Sequence, residues 1–388
     1  MAEAYVVLSL LAILGTLLTL PGTLELLIVT IGNLLPFHPK TPPPFKKSRL
    51  AVIVPAHNEE QDIKRTLDSL NTCTGEFDLI VIADNCTDAT ADIARACQAR
   101  VLERQDVHNR GKNFALIYAF EQLRPENYTA YITIDADTIV QPNLIEEVRT
   151  SLDSGAEAVQ VTDLVKDVNH QTMKSRLLYL ASVAFNYVRP NGRQKLGLST
   201  GINGNGFTFT KELIDKIPIP KDTIVEDVSY HLKMVAAGSA VTYNDRTHIY
   251  ALPPQTAEAF EQQRTRWEGG RMRLLIQEVP FLLKEIFKGN WRLIEPLLDL
   301  LLLPLSYHTL ILLLVLLIPF CPTQLYALFG LFLVLVHVAI AFIYGKCGWE
   351  DFKAIIMVPP YLLWKLKFLR KLSKAVSNGI SWIRTGRK

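Results

Sequence analysis

Several common chemistries have no foothold in this chain of 388 residues. Its five cysteines, Cys73, Cys86, Cys97, Cys321 and Cys347, form no CxxC pair. Three of them fall in a region read below as cytosolic, where disulfides are rare, so no cysteine chemistry is expected. No GxxxxGK[ST] phosphate loop is present. The net charge of +3 is too small to argue for nucleic acid. Asp, Glu, Lys and Arg are absent from residues 300–320, "LLLLPLSYHTLILLLVLLIPF", and from residues 325–345, "LYALFGLFLVLVHVAIAFIYG". Each stretch matches the roughly 20 residues that cross a hydrocarbon core. No Lys or Arg precedes the first apolar run, "AYVVLSLLAILGTLLTL", which argues against a cleaved signal peptide.

The three apolar segments imply an integral membrane protein. The first continues past Pro21 into "LELLIVTIGNLL", with Glu25 inside it. It reads as one crossing broken near Pro21, since about 32 residues is short for a hairpin of two full spans. The other two read as a transmembrane hairpin turning at "CPTQ". Basic residues follow the first segment (Lys40, Lys46, Lys47, Arg49) and the last (Lys365, Lys367, Arg370, Lys371, Lys374). Basic flanks stay cytoplasmic, so the large middle region and the tail are expected inside an inner or plasma membrane. The basic surplus also suits anionic headgroups.

The middle region alternates strand and helix. "RLAVIVPA" (49–56), "FDLIVIAD" (77–84), "ARVLERQ" and "AYITIDAD" (130–137) read as strands. "EQDIKRTLDSL" (60–70), "TDATADIARACQ" (87–98) and "KNFALIYAFEQL" (112–123) read as helices. That alternation predicts an α/β domain with a mostly parallel sheet covered on both faces. Ligands on such sheets bind beyond the carboxyl ends of the strands, where Asp84, Asp135 and Asp137 fall. Asp135 and Asp137, two apart on a strand, would share one face. Paired carboxylates there can hold Mg²⁺ or Mn²⁺, with substrate phosphates completing the shell. "GLSTGINGNGFTFT" (197–210) is glycine-rich, and its Asn-Gly pairs predict tight hairpin turns.

Read in order, "VIVPAHNEE", "VIADNCTDAT", "NRGKNFAL", "DAD", "IVEDVSYHLKMVAAG" and "QQRTRW" resemble the motifs of family 2 glycosyltransferases, of the GT-A (Rossmann-like) fold. The last resembles the Q(Q/R)xRW motif of membrane glycan synthases and ceramide-type glucosyltransferases. The usual acidic pair is Ala83-Asp84 here, and the Thr that precedes Glu-Asp in processive synthases is Val225. The resemblance implies a GT-A domain anchored by N- and C-terminal transmembrane helices. It also implies an inverting transfer from a nucleotide sugar, expected to be a UDP sugar, to a membrane-associated lipid or glycan, with a β-linkage formed.

Site roles follow from the same resemblance. Asp227 would be the catalytic base. His57, Glu59, Asp84, Lys112, Asp135 and Arg266 would bind the donor. Glu226, Gln263 and Trp267 would meet the acceptor. Asp135 and Asp137 would hold the metal. A processive β-glycan synthase coupled to export, with an oligomer or export partner, is the alternative. A non-catalytic nucleotide-sugar binding subunit is the alternative of another class.

The expected organisation is an anchor (1–37), the glycosyltransferase domain (38–277), an interfacial segment (278–299), the hairpin (300–345) and a basic amphipathic tail (346–388). His308 and His337 would sit at similar depth in the hairpin, where a hydrogen bond locking it is favoured over an acceptor path.

Overall fold

The computed structural model describes residues 2–36, 48–165, 172–220, 226–252, 257–362 and 364. The expected basic amphipathic tail lies mostly outside these residues.

Eight strands form one mixed sheet: β1 (Leu50–Ala56), β2 (Asp78–Asp84), β3 (Arg100–Arg104), β4 (Ala130–Thr133), β5 (Thr138–Val140), β6 (Ala158–Val165), β7 (Phe207–Thr210) and β8 (Val241–Ala251). Their spatial order is β3-β2-β1-β4-β7-β6-β8-β5. The first four are parallel, as expected, while β7 runs antiparallel to both β4 and β6. Alternation along β1 sends Leu50, Val52 and Val54 into one core and Ala51 and Ile53 into the other, so both faces are covered.

Among the described residues the α-helices are α1 (Ala2–Leu34), α2 (Ile63–Asn71), α3 (Thr90–Ala96), α4 (Lys112–Leu123), α5 (Leu144–Asp153), α6 (Met173–Val183), α7 (Arg189–Lys195), α8 (Lys211–Lys216), α9 (Glu226–Ala236), α10 (Ala257–Phe287), α11 (Ile294–Leu301), α12 (Leu305–Leu317), α13 (Cys321–Tyr344) and α14 (Trp349–Lys353). A π-helical stretch, Ala184–Val188, joins α6 to α7.

The membrane segments depart from expectation in two ways. First, α1 is continuous through Pro21. At 1.5 Å per residue such a helix is about 50 Å long, more than one hydrocarbon thickness. Its first half exposes Leu10, Leu14 and Leu17, as a lipid-facing helix does, while its second half buries one face, with Glu25, Leu26 and Val29, against the rest of the chain.

Second, residues 300–320 do not form one straight helix. Helix α11 stops at Leu301, Pro304 precedes α12, and the two axes meet at 79°. Proline lacks the N–H and bars the preceding residue from helical backbone, which an apolar count cannot register. "CPTQ" is the first turn of α13, and the connection is Ile318–Phe320. By length and composition α1 and α13 are candidate spans, with the bent pair a third if it counts as one. His308 and His337 are both buried. His308 lies 3.5 Å from Thr23 on α1, and His337 lies near the backbone at Ala184. Each thus ties its own helix to another part of the chain.

Candidate active site

In the order β2-β1-β4, the chain leaves β1 on one side and returns to its other side as β4. Crevices at such switch points, outside the carboxyl ends of parallel strands, are where open sheets bind ligands. The "HNEE" loop follows β1, Asp84 ends β2, Arg104 ends β3, and the acidic turn follows β4.

The strand expected over 130–137 ends at Thr133, so Asp135 and Asp137 stand on the turn into β5 and not on one strand face. The reason is the partner strand. Antiparallel β7 begins at Phe207, opposite Thr133, and the ladder has nothing beyond it. The Asp135 N–H instead donates to Asn205 Oδ1 at 3.0 Å. Asn205 also donates to Thr138 Oγ1 at 2.9 Å, pinning both ends of the turn.

Lys112, the first residue of α4, ion-pairs with the Asp135 carboxylate and donates to the Gly204 carbonyl. It also lines a small cavity with Gly204, Asp227 and Tyr230, of about 20 Å³. A Cβ added at Gly204 would lie 3.1 Å from Asp227 Oδ2, and its φ of +77° is one that L side chains rarely adopt. The glycine-rich segment therefore is not a hairpin. It links α7 to β7 and brings side-chain-free backbone against a carboxylate.

The acids here are held away from their ordinary behaviour. Burial pushes the Asp135 carboxyl up, opposed by Lys112 and, at longer range, by Arg266. Burial likewise raises Asp227, which caps its own helix by accepting from Val228 N–H at 2.8 Å. Asp163 on β6, buried, is pushed up to about 8 by desolvation and then by Asp135 and Asp137.

The β2–β3 half of the edge is a separate network. Asp84 and Arg104 are register partners on β2 and β3, and both are buried. Arg104 Nη1 donates to Asp84 Oδ1 at 2.6 Å, and its Nη2 donates to Asp106 and to the Asn109 carbonyl. Burial raises the Asp84 carboxyl, while Arg104 pulls it back down. His57 Nδ1 donates to the Asp84 carbonyl at 2.7 Å, and Glu59 N–H donates to Thr90 Oγ1 at 2.7 Å.

On the opposite side, Gln263, Arg264, Arg266 and Trp267 all lie on α10. Trp267 is 48% exposed, with the Arg264 guanidinium 5.8 Å from its ring centroid. The boundary expected at 277/278 falls inside this helix. Glu226 opens α9, and its side chain lies outside those described.

Residues 48–270, over half the chain, match the family described as Glycosyltransferase like family 2. The chain belongs to that family. The probable glycosyltransferase YdaM of Bacillus subtilis (strain 168) is 23% identical over 240 residues, covering 59% of this glycosyltransferase and 56% of the relative. A poly-β-1,6-N-acetyl-D-glucosamine synthase of Staphylococcus epidermidis is 23% identical over 244 residues, with the same coverage. The chain spans about half the length of the curated relatives it matches. Mannosyltransferase PcManGT of Pyrobaculum calidifontis, solved with GDP-Man and Mn²⁺, aligns over 95% of this chain and 98% of its own. The TM-score is 0.60 at 18% identity, which establishes the shared GT-A fold.

The family 2 glycosyltransferase thus brings Lys112, Asp135 and Asp227 together around Gly204, with Arg266 within electrostatic reach. Four residues of this arrangement are not marked by the sequence motifs: Arg104, Asp163, Gly204 and Asn205. The register of β2 with β3 could have found Arg104, because both strands were legible. Nothing in the local sequence marks Asn205 as the partner of a turn 70 residues away.

Proposed function

We propose that this glycosyltransferase moves a sugar from a nucleoside-diphosphate sugar, read as a UDP sugar, to a lipid or glycan acceptor at the membrane. The anomeric centre inverts, so an α-linked donor gives a β-linked product. One observation carries this reading: Lys112 joins the Asp135 carboxylate to the Gly204 carbonyl, and Asp227 lies on the other side of that glycine.

Asp84, positioned by Arg104 and His57, receives the nucleotide, with Glu59 beside it. Asp135 and Asp137 are hard oxygen donors of the kind that suit Mg²⁺ or Mn²⁺. Among the described residues no three His, Cys, Asp or Glu side chains converge to hold a metal. Two protein carboxylates with diphosphate oxygens in the remaining positions is a donor set these residues fit. A divalent cation bound there supplies positive charge to the diphosphate.

Asp227 accepts the proton of the acceptor hydroxyl as that oxygen bonds to the anomeric carbon. The bond from that carbon to the phosphate oxygen breaks, and the nucleoside diphosphate leaves with the electron pair. Lys112 and Arg266 are fixed cations beside the growing negative charge. The raised Asp227 carboxyl is the better base for work near neutral pH. Glu226, Gln263 and Trp267 lie on the acceptor side, where the exposed indole offers a stacking face. The candidate spans α1 and α13 hold this face at the cytoplasmic surface of the membrane.

A second reading, a processive synthase with an oligomer or export partner, is favoured by the polymer named for the S. epidermidis relative. One experiment separates the two. Detergent-solubilised protein is given a panel of nucleotide sugars and membrane lipids, and product mass reports sugar, acceptor and chain length. Folded Asp137→Asn and Asp227→Asn variants that transfer at the unmodified rate would refute the site.

A further inference from the structure

A cluster of buried charge lies behind the active-site loop. Arg189 and Arg193 of α7 and Arg271 of α10 meet Glu25 of α1 and Glu295 and Asp299 of α11. Arg193 is at its centre. It donates to Glu25 Oε1 at 2.5 Å and to Asp299 Oδ1 at 2.6 Å, and it ion-pairs with Glu295. Arg271 donates to the Asp299 backbone carbonyl. The Glu25 and Arg193 side chains are 0% and 7% exposed, so each charge depends on its partners rather than on water. An acid in the middle of an apolar helix thereby finds its place.

The same Arg193 faces the loop. Its main-chain carbonyl accepts from the N–H groups of Leu196 and Leu198 at 3.0 Å, closing α7. Its Nη1 lies 4.0 Å from where a Gly201 Cβ would stand. Ser199 Oγ is 2.8 Å from Nε2 of His231, one turn beyond Asp227 on α9. Gly204 and Asn205 then hold Lys112 and the Asp135 turn. Helix α1 is itself seated on α7. Gly32 packs on Gly192 with no room for a Cβ, and Asn33 donates to the Val188 carbonyl at 2.7 Å.

We propose that Glu25 and Arg193 are positioning residues: the membrane helix α1, through Glu25, aims Arg193 and so sets the 197–206 loop against Asp227 and Lys112. This rests on the proposed role of Asp227 and adds a second requirement, that turnover depends on a carboxylate inside the anchor. Glu25 touches no substrate. Its removal is expected to lower turnover and to leave the nucleotide half of the edge intact.

The test uses the full chain in detergent, with UDP affinity, donor KM, kcat and Tm measured on four variants. Glu25→Gln is expected to lower kcat about tenfold or more, as small misplacements do. UDP affinity and donor KM should stay within about twofold, and Glu25→Asp should restore most of the rate. Glu25→Gln/Arg189→Gln removes one charge of each sign and keeps Arg193. It is expected to recover Tm and keep the low kcat, and it decides alone if Glu25→Gln does not accumulate. A double variant whose kcat recovers with Tm, or a Glu25→Gln protein at full kcat, overturns the proposal. Asp227→Asn is the fourth variant. Undiminished kcat there sinks the site itself, whereas its loss beside an unaffected Glu25→Gln sinks only the coupling.

Discussion

The two halves of the proposed catalytic edge are built by different means. On the nucleotide half, Asp84 and Arg104 face each other across adjacent parallel strands, 20 residues apart in sequence, and the ladder alone sets their register. On the transfer half, Asp135, Gly204, Asp227 and Arg266 arrive from a turn, a loop and two helices. Lys112 joins Asp135 to Gly204 and Asn205 pins the Asp135 turn, both from far off in sequence, and in the proposal above this loop depends in turn on α1. The first half should resist changes made elsewhere in the molecule. The second should register them as lost rate.

The largest effect that sharpens this contrast is on turnover. Asp227→Asn should lower kcat about 10²–10⁴-fold, the usual range for a lost general base, with nucleotide affinity retained. Steady-state kinetics beside UDP titration checks both. The next breaks the other half. Arg104→Met strands a buried carboxylate, which typically costs about 3–5 kcal/mol. Its Tm should fall sharply, and donor KM should rise more than kcat falls. Gly204→Ala is a milder probe of the loop. It forces a Cβ into left-handed backbone, at about 1–2 kcal/mol, and crowds Asp227. A lower kcat at unchanged donor KM is expected, and an unchanged kcat would show that the close approach is idle.

The smallest effect is a pH dependence. Burial and then Arg193 lower His231 to about 4, against an ordinary 6.5. The folded state therefore resists protonation more than the unfolded one. This contribution is full above about 6.5 and is lost as pH falls through about 4. His231→Gln should flatten that part of the stability–pH curve, measured by thermal melts, and leave the neutral-pH side in place.

How much of this was legible varies with the range of the forces. Helix α4 runs from Lys112 to Leu123 as its apolar spacing predicts, and β2 ends at Asp84 as expected. These are local patterns of period 3.6 and 2. The apolar pattern predicts a strand through Asp135, but β4 stops at Thr133, because its end depends on where β7 begins. The glycine-rich segment reads as a hairpin and is a connection instead, because Asn-Gly reports local backbone freedom and not the neighbour that requires it. The 300–320 run bends at Pro304, because composition suits a bilayer while proline changes the helix direction.

The residues themselves dictated an α/β domain with acids at its strand ends beside apolar helices, since periodicity, strand-end acids and uncharged runs act over a few residues at a time. Folding settled which groups share the site and why Glu25 can sit in an apolar helix. Those answers depend on partners far off in sequence, such as Asn205 for Asp135 and Arg193 for Glu25. A charge pays no heed to sequence distance, only to what surrounds it once water is gone.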